Sequence, residues 1–173
     1  MIIVLIGYMG SGKSLIGRML SSESDFSFID LDDFIEKKEN ASISDIFSQK
    51  GEIYFRKKET EYLNLLLDTS NDVVISLGGG TPCFGNNMEL LKNKDNVKTI
   101  YLNTSVEELV NRLSDEKSKR PLIAHLTNRE DILDFVRKHL FERSFYYNQA
   151  DKVIKTDLKT PEEILQEIKQ ELF

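Results

Sequence analysis

The run Ile2-Ile3-Val4-Leu5-Ile6-Gly7-Tyr8-Met9-Gly10-Ser11-Gly12-Lys13-Ser14 decides the fold. Residues 7–14 fit G-x-x-x-x-G-K-[ST], the spacing of a phosphate-binding loop (P-loop). The five apolar residues before it read as a buried strand, and a helix is expected from about Gly12. Between the two, glycines let the backbone curl until successive N–H groups face one anion. The new helix adds its positive N-terminal end. Lys13 is then placed to reach the β- and γ-phosphates of a nucleotide, and the Ser14 hydroxyl to bind Mg²⁺. A glycine turn that merely resembled this pattern would not also have a strand before it and a helix after it.

The chain has 173 residues, which suggests one domain with a sizeable core. Apolar residues make up 40% and charged residues 30%, as in ordinary globular proteins. One cysteine, Cys83, excludes an intramolecular disulfide. With only two histidines available to activate it, Cys83 reads as a small buried filler. The opening apolar run lacks a basic flank and leads straight into the P-loop, so no signal peptide is expected. No segment approaches the ~20 apolar residues of a membrane span. A cytoplasmic protein without membrane partners is expected. The formal net charge is −6, which argues against a general nucleic-acid binder. Any anion site has to rely on local cations, so individual arginines become informative.

Strand-like runs at Ile2–Ile6, Ser27–Asp30, Val73–Leu77, Val97–Leu102 and Lys152–Lys155 alternate with helical patterns. The helical patterns fall near 13–22, 32–38, 43–67, 86–94, 105–114, 129–149 and 161–172. This alternation predicts an α/β three-layer sandwich, a parallel sheet with helices on both faces. Thr104 or Ser105 ahead of Glu107-Glu108 signals a helix start, as does Thr160-Pro161-Glu162-Glu163. Residues 115–127 are charged, contain Pro121 and break the pattern. They read either as a solvated loop or, as a P-loop kinase favours, as a lid that brings Arg120 over the phosphates and excludes water.

Further candidates follow the P-loop. The second strand ends in Asp30-Leu31-Asp32-Asp33, where ligands bind in open α/β sheets. If that strand reaches Asp32, Asp30 and Asp32 share a face. Asp30 is then placed to hold Mg²⁺ through water. Asp32 is placed to accept a hydrogen bond from an acceptor hydroxyl and help remove its proton. The plainer alternative is helix capping, which Asp33 suits well. Gly78-Gly79-Gly80 follows the third strand, and three glycines let backbone approach a ligand closely. The usual Walker B acid is missing, with Ser76 and Leu77 in its place, so metal organisation falls to Ser14 and Asp30. Arg56 and Glu59 are helical neighbours, so Glu59 is able to orient the guanidinium. Taken alone that pair, like Arg143 in Phe141-Glu142-Arg143-Ser144, also fits an ordinary surface arrangement.

As an ordered set these residues resemble the shikimate kinases. The chain carries Gly7–Ser14, Asp30-Leu31-Asp32, Gly51-Glu52 with Phe55-Arg56 and Glu59, Gly78–Gly80, Arg120-Pro121-Leu122, and Arg143 with Tyr147. The resemblance implies ATP-dependent phosphorylation of the 3-hydroxyl of shikimate, on the route to chorismate. It implies a P-loop NTPase fold like that of the nucleoside monophosphate kinases, with a five-stranded parallel sheet in order 2-3-1-4-5. It also implies a single domain over 1–173, with an acceptor-binding region at about 31–62 and a lid at about 114–127. Gly10, Ser11, Gly12, Lys13, Ser14 and Leu15 then correspond to the phosphate-binding stretch. Arg112 corresponds to the residue flanking adenine, and Pro161 to the adenine loop. Lys13, Asp32 and Arg120 correspond to the catalytic set. Arg56 and Arg143 correspond to the clamp on the substrate carboxylate, and Gly78, Gly79 and Gly80 to its backbone contacts. A monomer is expected.

The chemistry fits that resemblance, because arginine forks match a carboxylate and an aspartate suits a hydroxyl. Phosphoryl transfer needs positioning and charge neutralisation, which Lys13, Arg120 and Mg²⁺ supply. The chain departs from the family pattern in Leu15, where threonine is frequent, in Phe145, where proline is usual, and in its lysine-rich lid. The alternatives are a gluconate or nucleoside monophosphate kinase, or a nucleotide-binding regulatory module without catalysis. The first would not need Asp32, Arg56, the triple glycine and Arg143 together. The second would be expected to lose Lys13, Asp32 or Arg120.

Overall fold

The computed structural model describes residues 1–116, 123–126 and 128–172. Arg120, expected to act from a lid, lies with Pro121 and Leu122 outside the described residues.

Strand β1 (Ile2–Ile6) is buried at every position. A central parallel strand is covered on both faces, and so reads as a continuous apolar run rather than an alternating one. It pairs in parallel with β3 (Val73–Ser76) on one side and β4 (Val97–Asn103) on the other. Strand β2 (Ser27–Asp30) adds to β3, and β5 (Lys152–Lys155) adds to β4. The sheet order is therefore β2-β3-β1-β4-β5, as the resemblance implies.

Alternate residues of β1 feed two cores. Ile3 and Leu5 pack with Ile16 and Leu20 of α1 (Lys13–Ser22) and with Ile164, Leu165 and Ile168 of α7 (Pro161–Leu172). Ile2, Val4 and Ile6 face the larger core. That core is completed by α2 (Leu31–Glu39), α3 (Ile43–Leu67), α4 (Asn87–Lys92), α5 (Val106–Glu116) and α6 (Arg129–Tyr147). Three layers follow. Each fully buried Ile or Leu contributes roughly 1.5–3 kcal/mol by leaving water.

The caps fall close to where the residues predict. Ser105 Oγ accepts from the Glu108 N–H at 3.3 Å and starts α5. Thr160 and Glu163 form a reciprocal capping box at α7, with Pro161 first in the helix. One expectation changes. Strand β2 stops at Asp30 and does not reach Asp32. The Asp30 carboxylate caps α2 by accepting from the Asp32 N–H at 3.1 Å, which turns the chain into a helix at once. Asp32 therefore projects from the first turn of α2 and not from the strand face.

Candidate active site

The carboxyl ends of β1, β2 and β3 meet at one edge of the sheet, and the site grows from them. After β1, Gly10 (φ 82°) and Gly12 (φ 95°) take left-handed backbone conformations that a side chain would strain. They bend the loop into a cradle whose end is the start of α1. Lys13 lies over this loop and its Nζ donates to the carbonyls of Gly7 and Tyr8, each at 2.9 Å. The ammonium is thus stationed where phosphate oxygens would meet it. Ser14 Oγ donates to Asp30 Oδ2 at 2.6 Å and lies 3.4 Å from Ser76 Oγ. Hard oxygen donors of this kind suit Mg²⁺. Ser76, at the end of β3, stands where the acid was missing.

A cavity of about 560 Å³ opens over the loop. Its walls include Lys13, Ser14, Asp30, Asp32, Arg112 and Pro161. Leu15 is half exposed on the same wall. Arg112 is fixed by Glu108 (2.7 Å) and by the carbonyl of Gly10 (3.1 Å). Lys159 and Ile164 join this wall, although nothing in their sequence neighbourhood sets them apart.

Three glycines organise the other side. A Cβ on Gly78 would lie 3.2 Å from Asp32 Oδ1, one on Gly79 3.4 Å from Arg143 Nη1, and one on Gly80 2.5 Å from Arg56 Nη2. Each glycine therefore leaves space that one of the predicted acceptor-binding side chains occupies or borders. Those side chains come from α2, α6 and α3. Arg143 also lies over the Tyr8 ring, 5.6 Å from its centre. The Tyr147 hydroxyl, on the same helix, donates to the Gly79 carbonyl at 2.5 Å. Helix α6 runs unbroken through Phe145, which is exposed.

Arg56 and Glu59 form a pair unlike a surface pair. Glu59 is only 1% exposed, and its Oε2 accepts from Arg56 Nη1 at 2.7 Å. Burying a carboxylate is costly unless it is paired and hydrogen-bonded. Its second oxygen accepts from Thr81 Oγ1 at 2.5 Å.

Asp32 is the electrostatic focus. Burial, the nearby carboxylates of Asp30 and Glu59, and the counteracting cations Lys13 and Arg56 together push its pKa up to about 6. Among the described residues nothing hydrogen-bonds its buried Oδ1. A carboxylate with this balance titrates close to neutrality and has an acceptor atom to spare, as a group handling a hydroxyl proton requires. Cys83 is half-buried behind the glycines, and burial pushes its thiol up to about 11, in keeping with a packing role. No described helix is long and apolar enough to cross a membrane.

The P-loop, the paired hydroxyl and carboxylate beneath it, and the arginine-rich pocket alongside define a P-loop kinase of small molecules. The pattern of the shikimate kinase family matches residues 9–173. A shikimate kinase from Flavobacterium johnsoniae is 51% identical over 166 residues, covering 96% of this chain and 95% of that one. The crystal structure of shikimate kinase from Bacteroides thetaiotaomicron superposes with a TM-score of 0.90 at 33% identity, covering 99% of this chain and 97% of that one. The Acinetobacter baumannii enzyme, solved in complex with shikimate, gives 0.85 at 34%, covering 99% and 92%. This chain belongs to the shikimate kinase family. It is a kinase that takes ATP as its phosphoryl donor and shikimate as acceptor.

Proposed function

We propose that the chain transfers the γ-phosphoryl group of ATP to the 3-hydroxyl of shikimate through the residues gathered around Gly78–Gly80. The observation that carries this reading is the contact of Asp32, Arg143 and Arg56 with three successive glycines beside the P-loop. A hydroxyl ligand and two carboxylate ligands thereby face one small space. Arg56 and Arg143 take the shikimate carboxylate, each as a planar fork. The glycine backbone packs against the acceptor. Asp32 accepts the 3-hydroxyl's hydrogen bond. The 3-oxygen forms its bond to Pγ as the bond from Pγ to the bridging oxygen breaks, ADP leaves, and the hydroxyl proton passes to Asp32.

On the nucleotide side, Gly10 to Leu15 wrap the phosphates, Arg112 and Pro161 flank the adenine, and Lys13 neutralises the transferring group. Ser14, directly, and Asp30, through water, would hold Mg²⁺, which when bound supplies further charge neutralisation. We assign Arg120 to the same developing charge, on its resemblance to the family's lid arginine. The reading extends to a single-domain, monomeric, cytoplasmic enzyme with no nucleic-acid or membrane partner.

The test is ADP release with shikimate, quinate, gluconate, AMP and CMP in parallel, with and without Mg²⁺. Shikimate alone should stimulate release, and only with the metal. Stimulation by a different acceptor would overturn the pocket assignment while keeping the kinase.

A further inference from the structure

Four residues next to the proposed acceptor pocket form a closed hydrogen-bonded ring that phosphoryl transfer does not itself require. Thr81 Oγ1 donates to Glu59 Oε1 at 2.5 Å. Asn87 Nδ2 donates to the Thr81 carbonyl at 2.9 Å, and Thr60 Oγ1 donates to Asn87 Oδ1 at 2.9 Å. Thr60 follows Glu59 in α3, so the ring closes through the backbone of that helix. Thr81 and Asn87 are fully buried. The Thr81 N–H also donates to the Gly78 carbonyl at 3.1 Å, which ties the ring to the glycine turn.

We propose that Thr81 is a positioning residue for the acceptor: its hydroxyl, backed by Asn87 and Thr60, holds Glu59 in place and thereby sets Arg56 against Gly80. The proposal rests on the reading of Arg56 as a carboxylate ligand. Its physical basis is the geometry of the guanidinium. Arg56 Nη2, Cζ and Nη1 lie 2.5, 2.9 and 2.9 Å from where a Gly80 Cβ would stand, so the guanidinium lies across the glycine. Its Nη1 is taken by Glu59, while among the described residues nothing hydrogen-bonds Nη2. That leaves an edge to meet the acceptor. The direction of this edge depends on the Glu59 carboxylate, which is gripped at Oε2 by Arg56 and at Oε1 by Thr81. If the grip at Oε1 is removed, a buried acceptor is left unpaired. Glu59 then turns in search of a donor and carries Arg56 with it. The nucleotide cradle, built on the backbone of residues 7–14, is not part of the ring.

The test compares Thr81→Val, which keeps the shape and removes the donor, with Thr81→Ser, which keeps the donor. Both are examined in the wild-type chain, and Thr81→Val is also combined with Arg56→Lys. Thr81→Val should raise the shikimate KM and the calorimetric Kd about tenfold, with the ATP KM unchanged. Thr81→Ser should bring the shikimate values back to within about threefold of wild type. In the Arg56→Lys background Thr81→Val should have little further effect, because residues acting through one group are not additive. Equal losses for both substrates, or a full additional loss on top of Arg56→Lys, would overturn the proposal and leave the ring as ordinary packing. If Arg56→Lys alone leaves shikimate binding unchanged, the carboxylate-clamp reading falls and takes the proposal with it. If Arg56→Lys weakens binding and Thr81→Val does not, only the positioning role fails.

Discussion

On the nucleotide side of the cleft, Lys13 is held by carbonyls five and six residues away in its own loop. On the acceptor side, Asp32, Arg56 and Arg143 come from three helices and converge beside Gly78–Gly80. The first arrangement is local backbone, and it forms whenever the β1–α1 turn forms. The second is a convergence of side chains, and it holds only if buried groups away from the acceptor hold it. Glu59 bonds Arg56, and Tyr147 bonds the loop that faces Arg143. A substitution on the first side should therefore strike transfer itself, and one on the second should strike acceptor recognition.

The sharpest break of that contrast is Lys13→Ala. It should lower turnover about 10³-fold or more, as removal of a group neutralising transition-state charge does, while the melting temperature stays close to wild type. Near-normal turnover would remove Lys13 from the chemistry. Arg143→Ala comes next. Loss of a charge-assisted pair should raise the shikimate KM about 10- to 100-fold and leave the ATP KM within a factor of two or so. Parallel rises in both would merge the two sides into one.

Asp32, on the wall both sides share, should give the pH signature. Its carboxyl titrates near pH 6, and only the ionised form accepts a proton, so kcat/KM should fall as pH drops below about 6. The linkage to stability has the opposite sense. The folded pKa lies above the unfolded value near 3.9, so the ionised group costs stability above pH 6 and the cost fades as pH falls toward 4. Asp32→Asn should abolish turnover yet raise the melting temperature by about 5 °C at pH 8, with no gain at pH 4. A variant less stable at both pH values would contradict this.

The smallest effect concerns the frame of the acceptor side. Glu39 at the end of α2 accepts from the Tyr62 and Tyr54 hydroxyls of α3, each at 2.7 Å, with Lys50 at 3.2 Å. These donors hold its carboxyl down to about 2. Such stability is present above the unfolded pKa near 4.3 and is lost as pH falls through 2. Glu39→Gln should lower the melting temperature by about 2–4 °C at pH 7, and the difference should close between pH 4 and 2. A gap that persists at pH 2 would point to packing instead.

The two sides also differ in how far they can be read from sequence. The loop is contiguous and carries its own strand and helix, so Gly7–Ser14 announces both its geometry and the sheet around it. The strand runs fall within a residue of their observed limits. Asp30 reads from sequence as a helix cap or as a metal-side carboxylate; the structure shows the cap, with the second carboxylate oxygen accepting from Ser14. On the acceptor side, Arg56 and Glu59 look like any exposed helical pair. What changes them is burial under the turn that carries Thr81, a contact between residues 22 positions apart that periodicity does not encode. The contacts of Thr81 and Asn87 with Glu59 and Thr60 arise only once the turn after β3 and the start of α4 pack on α3. Arg112 and Arg143 carry no local signal and stand out only in the order of the whole motif set.

The most direct test of the account is a crystal structure of the chain with shikimate, Mg²⁺ and an unreactive ATP analogue. The account predicts the shikimate carboxylate forked between Arg56 and Arg143, the ring against Gly78–Gly80, and the 3-hydroxyl within hydrogen-bond distance of Asp32. A carboxylate bound away from both arginines, or a different hydroxyl at Asp32, would contradict it.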